Sequence, residues 1–194
     1  KMLEATQVRS KVELHGSSQD LLPPSLVSHL FRIVQEALNN VLKHSGAALV
    51  NIMVNAENGN IILAIKDDGT LWAWGQNNDG QLGNGSTYTH AVLPIQISAD
   101  TTWHSIANGF FFSVATKTDG TLWTWGRNGR GQLGLGSFIF RKTTPTQVGT
   151  DSTWTMVSAG SEFALAIKNN GTLWAWGYNY NGQLGDGTTT TRHT

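Results

Sequence analysis

The chain of 194 residues sets 13 Lys and Arg against 13 Asp and Glu and contains no Cys. The balanced charge argues against unspecific nucleic-acid binding, which needs a basic face, and the lack of Cys excludes disulfides and thiol catalysis. No apolar run approaches the roughly 20 residues of a membrane span. The opening KMLEATQVRS lacks the apolar core of a secretion signal, so a soluble chain without membrane or nucleic-acid partners is expected.

Composition divides the chain into two pieces. Up to Asn60 there are three Gly and no Trp, whereas the remainder holds 19 of the 22 Gly and all eight Trp. A boundary is therefore expected between residues 1–60 and 61–194, with residues 61–69 shared by both. In the first piece a strand is expected from Gln7 to Leu14, then a polar turn around Gly16 to Asp20. A helix from Ser25 to Ser45 follows, opened beside Pro23 and Pro24 and stopped at Gly46. Leu26, Leu30, Ile33, Val34, Ala37, Leu38, Val41 and Leu42 supply its apolar stripe. Val50, Ile52 and Val54 then alternate, Asn58-Gly59 turns the chain, and Ile61, Leu63 and Ile65 alternate again, as in a hairpin that the helix can cover.

The helix carries Glu36, Asn40 and Lys43 or His44 at spacings of three and four, on one face. Oxygen ligands of this kind suit a hard cation that bridges phosphates. The stretch RIVQEALNNVLKHSGA (32–47), with LLPPSLVSHLF before it and LVNIMVN after it, resembles the asparagine box of sensor histidine kinases of the nitrate-sensor subfamily. The resemblance covers roughly residues 7–69 and implies an ATP-binding domain. It makes Asn40 a Mg²⁺ ligand, gives Glu36 a role in positioning or activating a reacting group, and places Lys43 and His44 near phosphate. Asp67 would open the Asp-x-Gly-x-Gly box that reads adenine. Here Leu71 replaces the second glycine of that box. The later glycine boxes, the ATP lid and the phosphoacceptor helix are missing, so His15 and His29 are expected to be ordinary surface or satisfied histidines. With few groups left to enclose a triphosphate, the site is expected to be vestigial and the protein to need no cofactor. Mg-ATP binding by a two-component signalling protein is the alternative.

The second piece is a tandem array. DGTLWAWGQNNDGQLGNG begins at Asp68, DGTLWTWGRNGRGQLGLG at Asp119 and NGTLWAWGYNYNGQLGDG at Asn170, a constant period of 51 residues. Pro94, Gln96, Trp103 and Gly109 recur at the same period as Pro145, Gln147, Trp154 and Gly160. Such a period marks repeated supersecondary units. In each unit an Asp-Gly or Asn-Gly pair, completed by Gly69, Gly120 or Gly171, lies between apolar runs and predicts a tight β-hairpin. The paired tryptophans Trp72 and Trp74, Trp123 and Trp125, and Trp174 and Trp176 fall on one strand face, where they are expected to fill the space between neighbouring sheets.

G-T-L-W-x-W-G, x-N, G-Q-L-G-x-G, a Ser/Thr-rich loop and a P-x-Q strand together resemble the regulator of chromosome condensation repeat. The resemblance implies four-stranded propeller blades, usually seven. The copies are most similar to the Trp-rich bacterial branch, which implies binding of other proteins through loops at one end of the propeller. Where the family often has His followed by Ser or Thr, this chain has Phe112-Ser113 and Phe163-Ala164. The charged and histidine positions of members that exchange guanine nucleotide cannot be mapped onto it.

The segment ILAIKDDG fits both families at once, as expected of a chimera whose kinase-like hairpin becomes the first strand pair of a blade. The expected architecture is mainly β: an open arc of about two and a half blades, preceded by a small α/β fragment of strand, helix and hairpin. Exposed strand edges in such an arc predict self-association, or cover by residues 1–60. No nucleophile elbow, P-loop or zinc helix is present, and Asn77 to Asp79 are not matched as metal ligands at Arg127 to Arg130. The expected function is a non-enzymatic protein-interaction module fused to an inactive ATP-binding fragment, cytoplasmic if the kinase-like piece reflects its origin.

Overall fold

A computed structural model describes residues 9–15, 49–55, 62–67, 69–88, 90–137 and 139–194. The helix expected from Ser25 to Ser45 lies outside the described residues. Among the described residues twelve strands form three consecutive sheets. The first sheet is β1 (Arg9–His15), β2 (Leu49–Asn55), β3 (Ile62–Asp67), β4 (Thr70–Gly75) and β5 (Ala91–Ser98), hydrogen-bonded in that order. The second is β6 (Trp103–Asn108), β7 (Phe112–Lys117), β8 (Leu122–Arg127) and β9 (Arg141–Gln147). The third is β10 (Trp154–Ala159), β11 (Phe163–Lys168) and β12 (Leu173–Gly177), and a single bridge from Gly177 to Arg192 begins its fourth edge.

Among the described residues all pairings are antiparallel except β1 with β2, which run parallel with Arg9 opposite Leu49 and His15 opposite Asn55. The first sheet thus draws strands from both sides of the compositional break at residue 60. β2 pairs with β3 and β3 with β4, so four of its strands match the meander of the second sheet. The turn glycines explain the tight hairpins. Gly120 has φ +81°, and a Cβ there would lie 2.0 Å from the carbonyl oxygen of Ser152 in the next unit. Glycine is therefore required both for the turn and for the approach of the following blade. Pro94 and Pro145 fall in the outer strands β5 and β9, where a missing N–H is tolerated.

The core lies between the sheets. β6 packs on β2 and β3, and β10 packs on β6 and β7. Leu71 of the first blade, Trp103, Phe112, Val114 and Trp125 of the second, and Trp154 and Trp176 of the third form one buried cluster. β7 is buried at every position from Phe112 to Thr116, so its alternation in the sequence does not separate a wet face from a dry one. As an inner strand with neighbours on both faces, it covers one side with Val114 and Thr116 and the other with Ser113 and Ala115. The result is an arc of propeller blades.

Candidate functional site

The loop following each W-x-W strand is built around one buried Asn. Asn128 Oδ1 accepts the Leu133 N–H at 3.0 Å, and its Nδ2 donates to the carbonyls of Ser137 at 3.2 Å and Ile139 at 2.9 Å. Asn77 and Asn179 make the same bond to Leu82 at 3.0 Å and Leu184 at 2.9 Å, and both tie down the far side of their loops. The repeated Gln closes the tip: Gln81, Gln132 and Gln183 accept the N–H groups of Asp79, Arg130 and Asn181 through Oε1. Asn77 is fully buried in this way, which explains its place in the Asn77 to Asp79 stretch.

The first two loops also receive the next blade. Trp125 Nε1 donates to the Gln81 carbonyl and Trp176 Nε1 to the Gln132 carbonyl, both at 2.9 Å. The indoles lie against Gly83 and Gly134, where an added Cβ would approach Nε1 to 2.8 Å. Ser113 Oγ donates to the same Gln81 carbonyl at 2.9 Å. In the third blade Ala164 stands at the Ser113 position, and the Gln132 carbonyl takes the indole alone.

The other W-x-W tryptophan works at the opposite, hairpin-turn end. Trp123 Nε1 donates to Thr121 Oγ1 at 2.8 Å, and Trp72 and Trp174 do the same to Thr70 and Thr172. Lys117 lies over the rings of Trp103 and Trp123, at 4.8 and 4.1 Å, and Lys168 lies over Trp154 and Trp174 at 4.7 and 4.1 Å. Each Lys reaches a carboxylate at 2.6 Å, Asp100 or Asp151. The Lys117 ammonium and the Thr102 hydroxyl together hold the Asp100 carboxyl down to about 2. Lys168 and Thr153 lower Asp151 in the same direction. These are structural clamps with both charges matched.

At the loop end the variable positions of the repeat face outward in one connected strip. Arg141 donates to the Asn78 carbonyl of the first blade at 3.3 Å. The Arg127 guanidinium lies 5.5 Å from the Phe111 ring and 5.8 Å from that of Phe140, and the Arg141 guanidinium lies 5.1 Å from the Phe140 ring. Arg130 reaches the third blade, 5.4 Å from the Tyr178 ring and 3.9 Å from Glu162. Phe140, Tyr180 and Tyr88 are exposed large side chains at this end. The signal for this strip in the sequence is the unmatched residues between the invariant Gly, Asn and Gln, at positions 76, 78 and 79 and their counterparts one and two periods on.

Of the residues named for a Mg-ATP site, Glu36, Asn40, Lys43 and His44 lie outside the described residues. Asp67 ends β3 opposite Thr70. Gly69 is the hairpin turn with φ +88°, and Leu71, at the place of the box's second glycine, is buried in the inter-blade core. Among the described residues no cluster of three or more His, Asp or Glu is placed to hold a metal ion.

The family matches fall within the array. The sequence model described as the regulator of chromosome condensation (RCC1) repeat matches residues 68–116 and 119–167, and a second model of the same description matches 103–132 and 155–183. The chain is 32% identical over 130 residues to the RCC1 domain-containing protein RUG3, mitochondrial, of Arabidopsis thaliana, covering 66% of this chain and 29% of that protein. It is 32% identical over 135 residues to the ultraviolet-B receptor UVR8 of the same plant, covering 68% and 30%. Among solved structures, Prp20p of Saccharomyces cerevisiae superposes with a TM-score of 0.65 at 22% identity, over 74% of this chain and 36% of that one. Human WBSCR16 gives 0.60 at 21% identity, over 68% and 33%. The chain therefore spans about a third of the length of these proteins. The family these matches show is that of the array. With its 51-residue units matched by the family model and folded as blades, the chain belongs to the regulator of chromosome condensation (RCC1) repeat family.

Proposed function

We propose that the array is a non-enzymatic protein-interaction module whose partner docks on the loop end of the blades. The observation that carries this reading is the division of labour within each loop. The invariant Asn, Gln and Gly are consumed by internal bonds, while Asn78, Gly129 and Tyr180 between them are exposed and differ from blade to blade. In repeat proteins the variable positions of one face carry recognition. Prp20p, which shares this fold, is described by its binding to Gsp1p and histones, and that supports a protein-binding use of the architecture. The test is a photo-cross-linking side chain placed at Asn78, Gly129 or Tyr180, against the same group at Asp119 or Asn170 on the hairpin-turn end. A partner that cross-links from the first set only is the expected result. Equal capture from both ends would overturn it.

We further propose that residues 1–60 are an inactive remnant of a kinase-type ATP-binding domain. The 16-residue match around Glu36 and Asn40 supports the origin, and the burial of Leu71 at the box position supports the inactivity. Titration calorimetry with Mg-ATP is expected to give no heat. Micromolar binding abolished by Asn40→Ala would instead favour the signalling alternative. Self-association is the third element, supported by Leu173, Trp174 and Met156 exposed on the last blade. Light scattering of a concentrated sample should exceed the monomer mass, and a monodisperse monomer would remove this element.

A further inference from the structure

The segment 127–142 of the second blade stands apart from its two counterparts. It carries Arg127, Arg130, Arg141 and Lys142 and no acidic residue, in a chain whose charges balance only as a whole. The corresponding stretch of the first blade has one acid, Asp79, and no Arg or Lys, and that of the third pairs Asp186 with Arg192 at 2.8 Å. The excess cations are not neutralised in place. Among the described residues Arg127, Arg141 and Lys142 have no carboxylate within 4.0 Å, and Arg130 has only the long contact to Glu162. The Nε of Arg127 is buried without any acceptor, held between the rings of Phe111 and Phe140. Contact with two rings restrains a guanidinium in advance of its pairing with a carboxylate. Phe140, about half exposed, adds an apolar anchor in the middle of the cations. Arg and aromatic residues around a central anchor are the composition of interface hot spots.

We propose that this strip is the docking site for an acidic segment of a partner protein, with Arg127, Arg130, Arg141 and Lys142 taking its carboxylates and Phe140 an apolar side chain between them. The inference rests on the loop end being the binding surface and specifies the chemistry of what binds there. A protein segment fits better than nucleic acid. Four cations on a neutral chain give a short charged track, and the exposed ring sits among them rather than beside a basic groove that follows a backbone.

The test uses the full chain and a fluorescein-labelled peptide of alternating Glu-Glu-Phe units, beside a single-stranded oligonucleotide of equal charge. Fluorescence anisotropy is expected to show binding of the peptide in preference to the oligonucleotide, weakening as salt rises. The variant Arg130→Gln/Arg141→Gln/Lys142→Gln should bind about tenfold more weakly or worse, with an unchanged near-UV spectrum. Because Arg141 also holds the Asn78 carbonyl, the double variant Arg130→Gln/Lys142→Gln keeps that bond and should show the same direction of change. Absence of peptide binding, binding by both variants as tight as that of the unaltered chain, or tighter binding of the oligonucleotide would each overturn the proposal. Cross-linking confined to the loop end, together with no affinity for the acidic peptide, would reject this chemistry alone and leave the interaction module standing.

Discussion

The second and third blades share one repeat framework and have very different surroundings. Leu122 is 1% exposed, whereas its counterpart Leu173 is 65% exposed. Trp123 is partly buried and Trp174 is 48% exposed. Gly134 seats the Trp176 indole, while nothing lies within 4 Å of a Cβ built on Gly185. In a repeat array burial is thus set by the neighbour as much as by the residue, which is why stability in such proteins divides into unit terms and interface terms.

This contrast yields graded tests. Trp125→Ala removes a fully buried ring and leaves the Gln81 carbonyl with Ser113 alone, so a loss of about 3–5 kcal/mol in denaturant unfolding is expected. Trp174→Ala in the exposed blade should cost about 1 kcal/mol or less. Next comes Gly134→Ala. Its positive φ alone costs about 1–2 kcal/mol, and the Trp176 indole must also shift, so the total loss should exceed that of Gly185→Ala, which has the strain without the collision. Equal losses for the pair would mean that the seat adds nothing to blade docking.

The smallest effect concerns acid. Asp100 has its carboxyl lowered to about 2 in the fold, chiefly by Lys117, so its contribution is present above the ordinary carboxylate value. It is lost as the pH falls from about 4 to about 2. Asp100→Asn should flatten this acid limb while changing stability at neutral pH by about 1 kcal/mol or less, since the pair is partly exposed. Melting temperature against pH is the measurement, and an unchanged acid limb would show that the clamp does not act in this window.

Much of the array was legible in the sequence because its signals are local. Asp119-Gly120 demands a tight turn, and the observed register of β7 on β8 follows from it. The constant period announced like units, and the P-x-Q segments announced strands. What was not legible depended on contacts between units. Trp123 and Trp125 look alike on the strand, yet one clamps Lys117 against Trp103 and the other crosses to the Gln81 carbonyl 44 positions earlier. The aromatic and Arg ladder at the loop end was likewise hidden, since Arg130 and Tyr178 meet only once two blades are docked. The parallel pairing of β1 with β2, which joins the first piece to the first blade's sheet, also rests on a long-range contact that alternation cannot specify.

The central claim is that invariant loop residues hold the blades while variable ones remain free for a partner, and thermal unfolding of Asn128→Ala beside Arg130→Ala tests it most directly. Asn128 is buried and makes three bonds within its loop, so its loss should lower the melting midpoint by roughly 5–10 °C. Arg130, half exposed and held by one long ion pair, should change it by about 2 °C or less. Comparable falls for both would contradict the account, since the variable position would then be holding the fold together as well.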